Sequence, residues 1–278
     1  MLLSFLMAMG ASAQAKAKRG LAYGPGATGK LDVYAPVGAD GEAPVIVFAH
    51  SGWPRLADKK HFAVIGQMLA SRGFVTVIPD FHVFPNCKYP DFVQDIAKVA
   101  AWARSHCAAY GGDPKRLFLV GHSGGAYVST LLALDPQWLA GEGMTPGDIR
   151  GVVGISGAYD FLPLPEAAMN DVFGGEKNWP AALPVNHAHA ASPPMLLVAG
   201  AKDHLDPDRN TGALARALRT VGGQVAEIRY PTLGDKVGLH SLIGSLRFRA
   251  TALAEVERFI RLRSLEPVCP SSPAPPPT

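Results

Sequence analysis

The chain has 278 residues, of which 48% are hydrophobic and 18% are charged. This length and composition can bury a large core, which excludes a chain disordered throughout and suits one large α/β domain or two small ones. The 26 basic and 23 acidic side chains leave a net charge of +3, with no run of five like charges, so neither nucleic acid nor an anionic membrane is an implied partner.

Residues 1–13 form an apolar segment that ends in Ala11-Ser12-Ala13. This pattern is typical of a signal-peptide apolar region followed by a small-residue cleavage site. The segment is too short to span a bilayer, so we expect no stable membrane insertion. The sequence therefore predicts export, to a periplasmic or secreted location. If the segment instead packs on the domain, the expected location is cytoplasmic.

Short β-branched runs alternate with longer helical patterns along the chain, which indicates β-α-β units and a mainly parallel sheet. The predicted strands are 31–34, 45–49, 74–78, 117–120, 152–155, 195–199 and 225–230. The predicted helices are 61–72, 91–107, 125–134, 211–221 and 245–263. No repeat or second boundary interrupts this order, so we expect a single domain over residues 20–266.

Residues 159–192 break this rhythm, because prolines and Gly174-Gly175 are scattered through them without a sustained period. We interpret them as a short cap insertion over the carboxyl edge of the sheet. Residues 267–278 are rich in Pro and Ser and cannot bury apolar area. They are predicted to be a disordered tail.

The three cysteines, Cys87, Cys107 and Cys269, leave at least one thiol unpaired within a monomer. The helix predicted over 91–107 separates Cys87 from Cys107 by more than the few preceding residues can bridge. None of the three has metal-ligand spacing or a nearby base that would make it a nucleophile.

The sequence Gly121-His122-Ser123-Gly124-Gly125 lies between a predicted strand and a predicted helix. A G-x-S-x-G turn in this context places its serine in a strained backbone conformation with the hydroxyl above the sheet. Glycines are needed beside it because side chains there would collide with the strand and the helix. Ser123 is therefore the predicted nucleophile.

Three further motifs accompany this turn, at positions spread from residue 50 to residue 194. They are His50-Ser51-Gly52-Trp53, Gly111-Gly112-Asp113-Pro114 and Ser192-Pro193-Pro194. With the turn, they resemble the esterase-like branch of the α/β-hydrolase superfamily, which includes carboxylesterases, feruloyl-esterase-like proteins and arylformamidases. The resemblance implies a mainly parallel central sheet flanked by helices, a short cap, and a serine hydrolase that needs no cofactor.

In the resembling families the general base lies on a loop between the last strand and the C-terminal helix. His240, in Gly238-Leu239-His240-Ser241, is the histidine at that position. A serine hydroxyl needs such a base because it is a weak nucleophile at neutral pH. His50 is expected to shape the oxyanion loop, whereas His187 and His189 form a His-x-His pair without a third metal ligand at motif spacing, so no metal site is predicted. The other histidines outside the serine motif are interpreted as surface or supporting residues: His61, His82, His106 and His204.

The orienting acid should follow the strand at 195–199, whose carboxyl end lies beside that of the nucleophile strand. The segment from Gly200 to Pro207 resembles the family's pattern of glycine, two residues, aspartate, two residues and valine-proline, which selects Asp203. Asp206 replaces the usual valine and remains the alternative. The acid holds the imidazole tautomer and stabilises the imidazolium.

Negative charge develops on the substrate's carbonyl oxygen in the transition state, so backbone N–H donors must already point toward it. The resemblance implies donors from Gly124 and from the loop that holds Gly52 and Trp53. Ser51 stands where the family has a glycine, which leaves the register of that loop open by one residue. Trp53 and His122 are also candidate substrate-binding residues.

These observations predict a serine-dependent carboxylesterase that acts through an acyl-enzyme on small or medium esters. An arylformamidase and a small serine peptidase of the same fold remain alternatives, since both use the same order of catalytic residues. A non-catalytic binding protein of this fold is the alternative from another class, although such proteins usually lack a member of the triad.

Overall fold

The computed structural model of the chain describes residues 15–26, 28–51, 58–83, 87–164, 170–234 and 251–267. Several predicted features lie outside these residues, namely the signal peptide over 1–13, most of the Pro-rich tail, Gly52, Trp53, His240 and Cys269. Cys87 and Cys107 are buried free thiols, which confirms that they do not pair with each other.

The described residues form an eight-stranded sheet of order β1-β2-β4-β3-β5-β6-β7-β8. The strands are β1 Ala15–Ala22, β2 Lys30–Pro36, β3 Ala43–Ala49, β4 Val75–Pro79, β5 Gly112–His122, β6 Ile149–Ile155, β7 Met195–Lys202 and β8 Val225–Gly234. β1 and β2 pair antiparallel with their neighbours, and the other pairs are parallel. All seven predicted strands are confirmed, while β1 was not predicted and begins before residue 20.

Helices connect these strands and cover both faces of the sheet. They are α1 Ala63–Ser71, α2 Asp91–His106, α3 Gly124–Leu134, α4 Pro136–Ala140, α5 Trp179–Ala182, α6 Ala213–Thr220 and α7 Thr251–Leu265. Each predicted helix corresponds to one of them, although residues 245–250 of the last prediction lie outside the described residues. The sequence did not predict the short helices α4 and α5. No helix in the described part of the chain has the length and hydropathy needed to cross a membrane.

The side chains of β3 alternate between two hydrophobic clusters, one on each face of the sheet. Val45, Val47 and Ala49 belong to the cluster beneath α2 and α3. Ile46 and Phe48 belong to the cluster beneath α1 and α7. All five are fully buried, and complete burial of a large apolar side chain stabilises a fold by about 1.5–3 kcal/mol. Both faces of the sheet are therefore packed, and this packing fixes the residues at its carboxyl edge in position.

The described parts of the predicted cap pack against α2 and α3 through aromatic side chains. Phe161 and Phe173 of this segment have ring centroids 5.2 Å apart. Phe161 lies edge-on to Tyr127 of α3 at 5.3 Å, and Phe173 lies edge-on to Phe92 of α2 at 6.3 Å. Edge-to-face pairs at these distances contribute beyond the area that they bury. They hold this part of the chain beside α3, the helix that follows Ser123.

Candidate active site

Ser123 is the single residue between β5 and α3, with φ 54° and ψ −120°. A side chain in this region of backbone space costs about 1–3 kcal/mol and persists only where the surroundings hold it. Two backbone hydrogen bonds do so here. The Ser123 amide donates to the Ile155 carbonyl oxygen at 2.9 Å, and the Tyr127 amide donates to the Ser123 carbonyl oxygen at 3.1 Å. The strand-turn-helix context predicted for the G-x-S-x-G motif is thus present.

The three glycines around Ser123 differ in how much space surrounds them. A Cβ on Gly121 would collide with the backbone of Gly125 and Ala126, and a Cβ on Gly125 would collide with the carbonyl groups of Ala49 and His50. A Cβ on Gly124 would meet no described atom within 4 Å, so the expected collision is wrong for this glycine. Gly121 and Gly125 therefore allow β3, β5 and α3 to approach closely, and Gly124 leaves open space over the turn.

Gly124 is the first residue of α3, so its amide has no acceptor within the helix. The helix dipole adds a partial positive charge at this end. Because Gly125 packs on Ala49 and His50, the segment that follows β3 starts beside this amide. The predicted donors Gly52 and Trp53 follow in the sequence but lie outside the described residues. Gly124 can supply one donor to a developing oxyanion.

His50 is fully buried and fixes the chain directly after β3. Its imidazole stacks on Phe62 with ring centroids 4.7 Å apart, and its Nε2 lies 3.0 Å from the Pro79 carbonyl oxygen. Burial lowers the pKa of His50, so the ring is neutral and has one N–H. We assign that N–H to Nε2 because Pro79 offers the shorter contact; Nδ1 faces the Ser51 carbonyl oxygen at 3.2 Å. This supports the predicted role of His50 in shaping the oxyanion loop.

A buried ion pair fixes the other end of the same segment. The ammonium of Lys59 contacts the carboxylate of Asp80, just after β4, and lies 4.0 Å from Asp32. The Lys59 amide also donates to Asp80 Oδ1 at 2.9 Å. The Lys59 side chain is 9% exposed, and buried charges require such partners. Residues on both sides of 52–57 are thus attached to the end of β4, a feature that the sequence analysis missed.

Asp203 directly follows the carboxyl end of β7, on the same edge of the sheet as Ser123. The sequence analysis expected this strand beside the nucleophile strand, but β6 lies between β7 and β5. The carboxylate is buried, and its Oδ2 accepts hydrogen bonds from the Ser156 hydroxyl and the Gly200 amide, both at 2.9 Å. Its Oδ1 is also buried but has no hydrogen-bond partner among the described residues. A buried carboxylate oxygen needs a donor, and an imidazole N–H could fill that place.

Asp206, the alternative acid, has a different environment. It is exposed, and its Oδ1 accepts hydrogen bonds from the amides of Asp208 and Arg209 at 2.9 and 3.2 Å. This carboxylate caps the helical turn that precedes α6, which satisfies otherwise free amides. The geometry therefore favours Asp203 over Asp206 as a partner for a base. β8 ends at the same edge, and His240 follows β8 in the sequence but lies outside the described residues.

His122 precedes the nucleophile and has a largely enclosed ring. Burial lowers its pKa to about 4, and its Nδ1 is buried without a hydrogen-bond partner among the described residues. The ring is therefore neutral near pH 7. Its predicted contact with substrate stays a prediction.

Three further histidines, His82, His187 and His189, have structural partners. His82 Nδ1 contacts Asp95 Oδ2 at 2.6 Å, and its Nε2 contacts the Thr28 hydroxyl at 3.0 Å. His187 Nε2 and His189 Nε2 face the backbone carbonyl oxygens of Ala181 and Leu134. Within the described ranges no three His, Cys, Asp or Glu side chains are placed to share a metal ion.

Solved structures of esterases share this fold. A truncated carbohydrate esterase from gut microbiota superposes with a TM-score of 0.77 and 19% identity, over 92% of this chain and 99% of its own. The architecture is accordingly the α/β-hydrolase fold that the motifs predicted.

Curated relatives are also esterases. An isoprenylcysteine alpha-carbonyl methylesterase of Arabidopsis thaliana is 27% identical over 77% of this chain and 55% of its own length. The probable carboxylic ester hydrolase LipM of Mycobacterium tuberculosis is 28% identical over 86% of this chain and 60% of its own. The chain thus spans little more than half the length of these relatives.

The BD-FAE family model matches residues 31–218, which include the turn at Ser123, the predicted oxyanion loop at His50 to Trp53, and Asp203. That range runs from the second residue of β2, Leu31, to Leu218 within α6. Since most of the fold and two of the three predicted catalytic residues fall within it, the chain belongs to the BD-FAE family.

Proposed function

We propose that the protein is a serine carboxylesterase in which Ser123 is the nucleophile, His240 the general base and Asp203 the orienting acid. The observation that carries the proposal is the strained Ser123 at the start of α3, on the same sheet edge as a buried carboxylate with one unpartnered oxygen. The curated relatives are named as esterases, which supports the same reaction class.

In the first half-reaction, Ser123 Oγ attacks the ester carbonyl carbon while the imidazole of His240 accepts its proton. Asp203 Oδ1 accepts a hydrogen bond from the other imidazole nitrogen and stabilises the imidazolium. The Gly124 amide, together with Gly52 or Trp53, donates to the oxyanion. The tetrahedral intermediate then collapses, His240 protonates the leaving alcohol, and the acyl group stays on Ser123.

In the second half-reaction, His240 removes a proton from a water molecule, which attacks the acyl-enzyme. The intermediate that follows expels Ser123 Oγ, which takes back the proton, and the carboxylic acid leaves. None of these steps uses a cofactor. We propose small or medium esters as substrates. The plant relatives are named as methylesterases, which supports including a methyl ester among the substrates tested.

The direct test compares Ser123→Ala with Ser129→Ala. Ser129 lies in α3, is fully buried, and its hydroxyl has no hydrogen-bond partner among the described residues, so it is a matched control for removing a serine hydroxyl. Hydrolysis of p-nitrophenyl butyrate should disappear in Ser123→Ala and persist in Ser129→Ala. A fluorophosphonate should label the wild-type protein at Ser123. Wild-type turnover in Ser123→Ala would overturn the proposal.

A second experiment separates the reaction classes that share this machinery. The wild-type protein is given p-nitrophenyl butyrate, an aliphatic methyl ester, a formyl anilide and a dipeptide amide under one set of conditions. The proposal expects the highest kcat/KM for an ester. A higher kcat/KM for the anilide or the amide would assign the protein to the arylformamidases or the peptidases. Absence of both turnover and labelling in folded protein would favour a binding protein.

A further inference from the structure

Ser156 is the first residue after β6 and adopts an unusual backbone conformation. Among the described residues that carry a side chain, only Ser123 and Ser156 have a positive φ, at 54° and 48°. Ser156 is 8% exposed, and its amide donates to the Val198 carbonyl oxygen on β7 at 2.7 Å. Such strain persists only where surrounding contacts hold it, and it is common at functional sites.

The hydroxyl of Ser156 donates to Asp203 Oδ2 at 2.9 Å. The Gly200 amide donates to the same oxygen, so Oδ2 has two donors while Oδ1 has none among the described residues. The side-chain torsion that exchanges the two oxygens of an aspartate is broad. The Ser156 hydroxyl and the Gly200 amide therefore hold Oδ2 in place and leave Oδ1 free to accept a hydrogen bond from the base.

A second contact attaches the chain after Ser156 to the loop that carries Asp203. Asn210 is buried, and its Oδ1 accepts hydrogen bonds from the amides of Tyr159 and Asp160 at 2.7 and 3.0 Å. Its Nδ2 donates to the Asp206 carbonyl oxygen at 3.2 Å. Segments 156–160 and 200–210 are thus joined by two contacts. Asn210 makes one of them, and Ser156 makes the other, which is the contact with the Asp203 carboxylate.

We propose that Ser156 is a positioning residue for catalysis, which holds Asp203 so that Oδ1 faces the base. This inference rests on the proposed function, because it assigns a partner to the acid of the proposed triad. Among the described residues the hydroxyl of Ser156 bonds Asp203 and not Ser123, so Ser156 acts through Asp203. A carboxylate that turns or shifts by about 1 Å orients the imidazole poorly, and such misplacement can lower a rate by about 100-fold.

The first test is kinetic and compares Ser156→Ala with Ser129→Ala. Both substitutions remove a buried serine hydroxyl, but only Ser156 bonds a carboxylate. We expect kcat for p-nitrophenyl butyrate to fall about 10- to 100-fold in Ser156→Ala with KM within about twofold of wild type, because Ser156 acts in the transition state and does not bind substrate. Ser129→Ala should keep the wild-type kcat. Equal kcat values in the two variants would overturn the inference.

The second test is a double-mutant cycle, which separates positioning from a general effect on the fold. Once Asp203→Ala has removed the acceptor, Ser156→Ala should lower kcat no further. A merely structural role would lower kcat by the same factor in both backgrounds. Additive effects would therefore overturn the inference even if Ser156→Ala is slow.

The same cycle distinguishes failure of this inference from failure of the proposed function. If Asp203→Ala is slow and Ser156→Ala is not, the triad stands and the positioning role of Ser156 fails. If Asp203→Ala keeps the wild-type kcat, the assignment of the acid itself is wrong, and the inference fails with it.

Discussion

The Ser123 amide donates a hydrogen bond to the carbonyl oxygen of Ile155, at 2.9 Å. Ile155 is the last residue of β6, so this bond joins the nucleophile turn to the strand whose next residue, Ser156, bonds Asp203. The two strained residues of the described chain are therefore linked through one peptide. A change in the backbone at one of these two residues should therefore also displace the other.

The strain at Ser123 gives a prediction about stability. Ser123→Gly should unfold at a higher urea concentration than Ser123→Ala, because glycine adopts φ 54° freely and alanine does not. Glycine at this position releases a strain of about 1–3 kcal/mol. Its greater conformational freedom in the unfolded chain offsets part of this gain, so Ser123→Gly should be more stable than Ser123→Ala by about 1 kcal/mol. Both variants lack the hydroxyl and should be inactive, so urea unfolding is the measurement. Equal midpoints would show that the backbone is not strained there.

A pair of glycine substitutions tests the packing around the turn. Gly125→Ala should lower the free energy of unfolding by about 3 kcal/mol or more, since its Cβ would meet backbone carbonyl groups that cannot move aside cheaply. Gly124→Ala is the matched control, because its Cβ meets no described atom. It should cost less than about 1 kcal/mol. Urea denaturation of both proteins measures the difference, and similar losses would contradict the close approach of α3 to β3.

The sequence was sufficient to predict the strands and helices that position the site, but not strand β1. The predicted strands are apolar at successive positions because both faces of the sheet are covered. β1 instead contains Lys16, Lys18 and Arg19, and its side chains are almost all exposed. It joins the sheet through backbone hydrogen bonds to β2 along one edge. Such pairing does not require apolar side chains, so the hydrophobic pattern of the sequence does not predict it.

The same distinction holds within the site. Ser123 and Asp203 stand in local motifs, since a turn of glycines and the end of a strand can be recognised in a few residues. Ser156 and Lys59 lack such a signal. Ser156 bonds a carboxylate 47 positions away, and Lys59 bonds one 21 positions away. These pairs exist because the sheet order brings β6 beside β7 and the segment after β3 beside β4, which residue spacing does not specify.

The buried ion pair at Lys59 leads to a third prediction. Lys59→Met should lower the free energy of unfolding by about 3–5 kcal/mol, because it leaves Asp80 as an uncompensated charge in a nearly buried site. Ester turnover should also fall, since residue 59, which follows the predicted oxyanion loop, then keeps only its amide hydrogen bond to Asp80. Lys60→Met is the control, because the Lys60 side chain is 78% exposed and its ammonium lies 3.6 Å from Asp58. Surface pairs of this kind contribute about 0–1 kcal/mol. If Lys60→Met is as unstable as Lys59→Met, burial of the pair is not the cause.

The pKa of His122 makes stability depend on pH in a known direction. Burial lowers this pKa from 6.5 to about 4, so between these values the unfolded chain binds a proton that the folded protein does not. Stability must then fall as the pH drops through this window. Integrated from pH 7 to pH 4.5, the effect amounts to about 2 kcal/mol.

His122→Gln removes this titration and should flatten the pH dependence by that amount. Urea unfolding of both proteins at pH 8, 7 and 4.5 is the measurement, since carboxylates also lose stabilising contacts in acid and only the difference between the proteins isolates His122. Between pH 8 and pH 7 the difference should change by only about 0.1 kcal/mol, because the folded imidazole stays neutral and the unfolded one is only about one quarter protonated at pH 7. A constant difference down to pH 4.5 would mean that the ring titrates alike in the folded and unfolded chains, and that it is not enclosed.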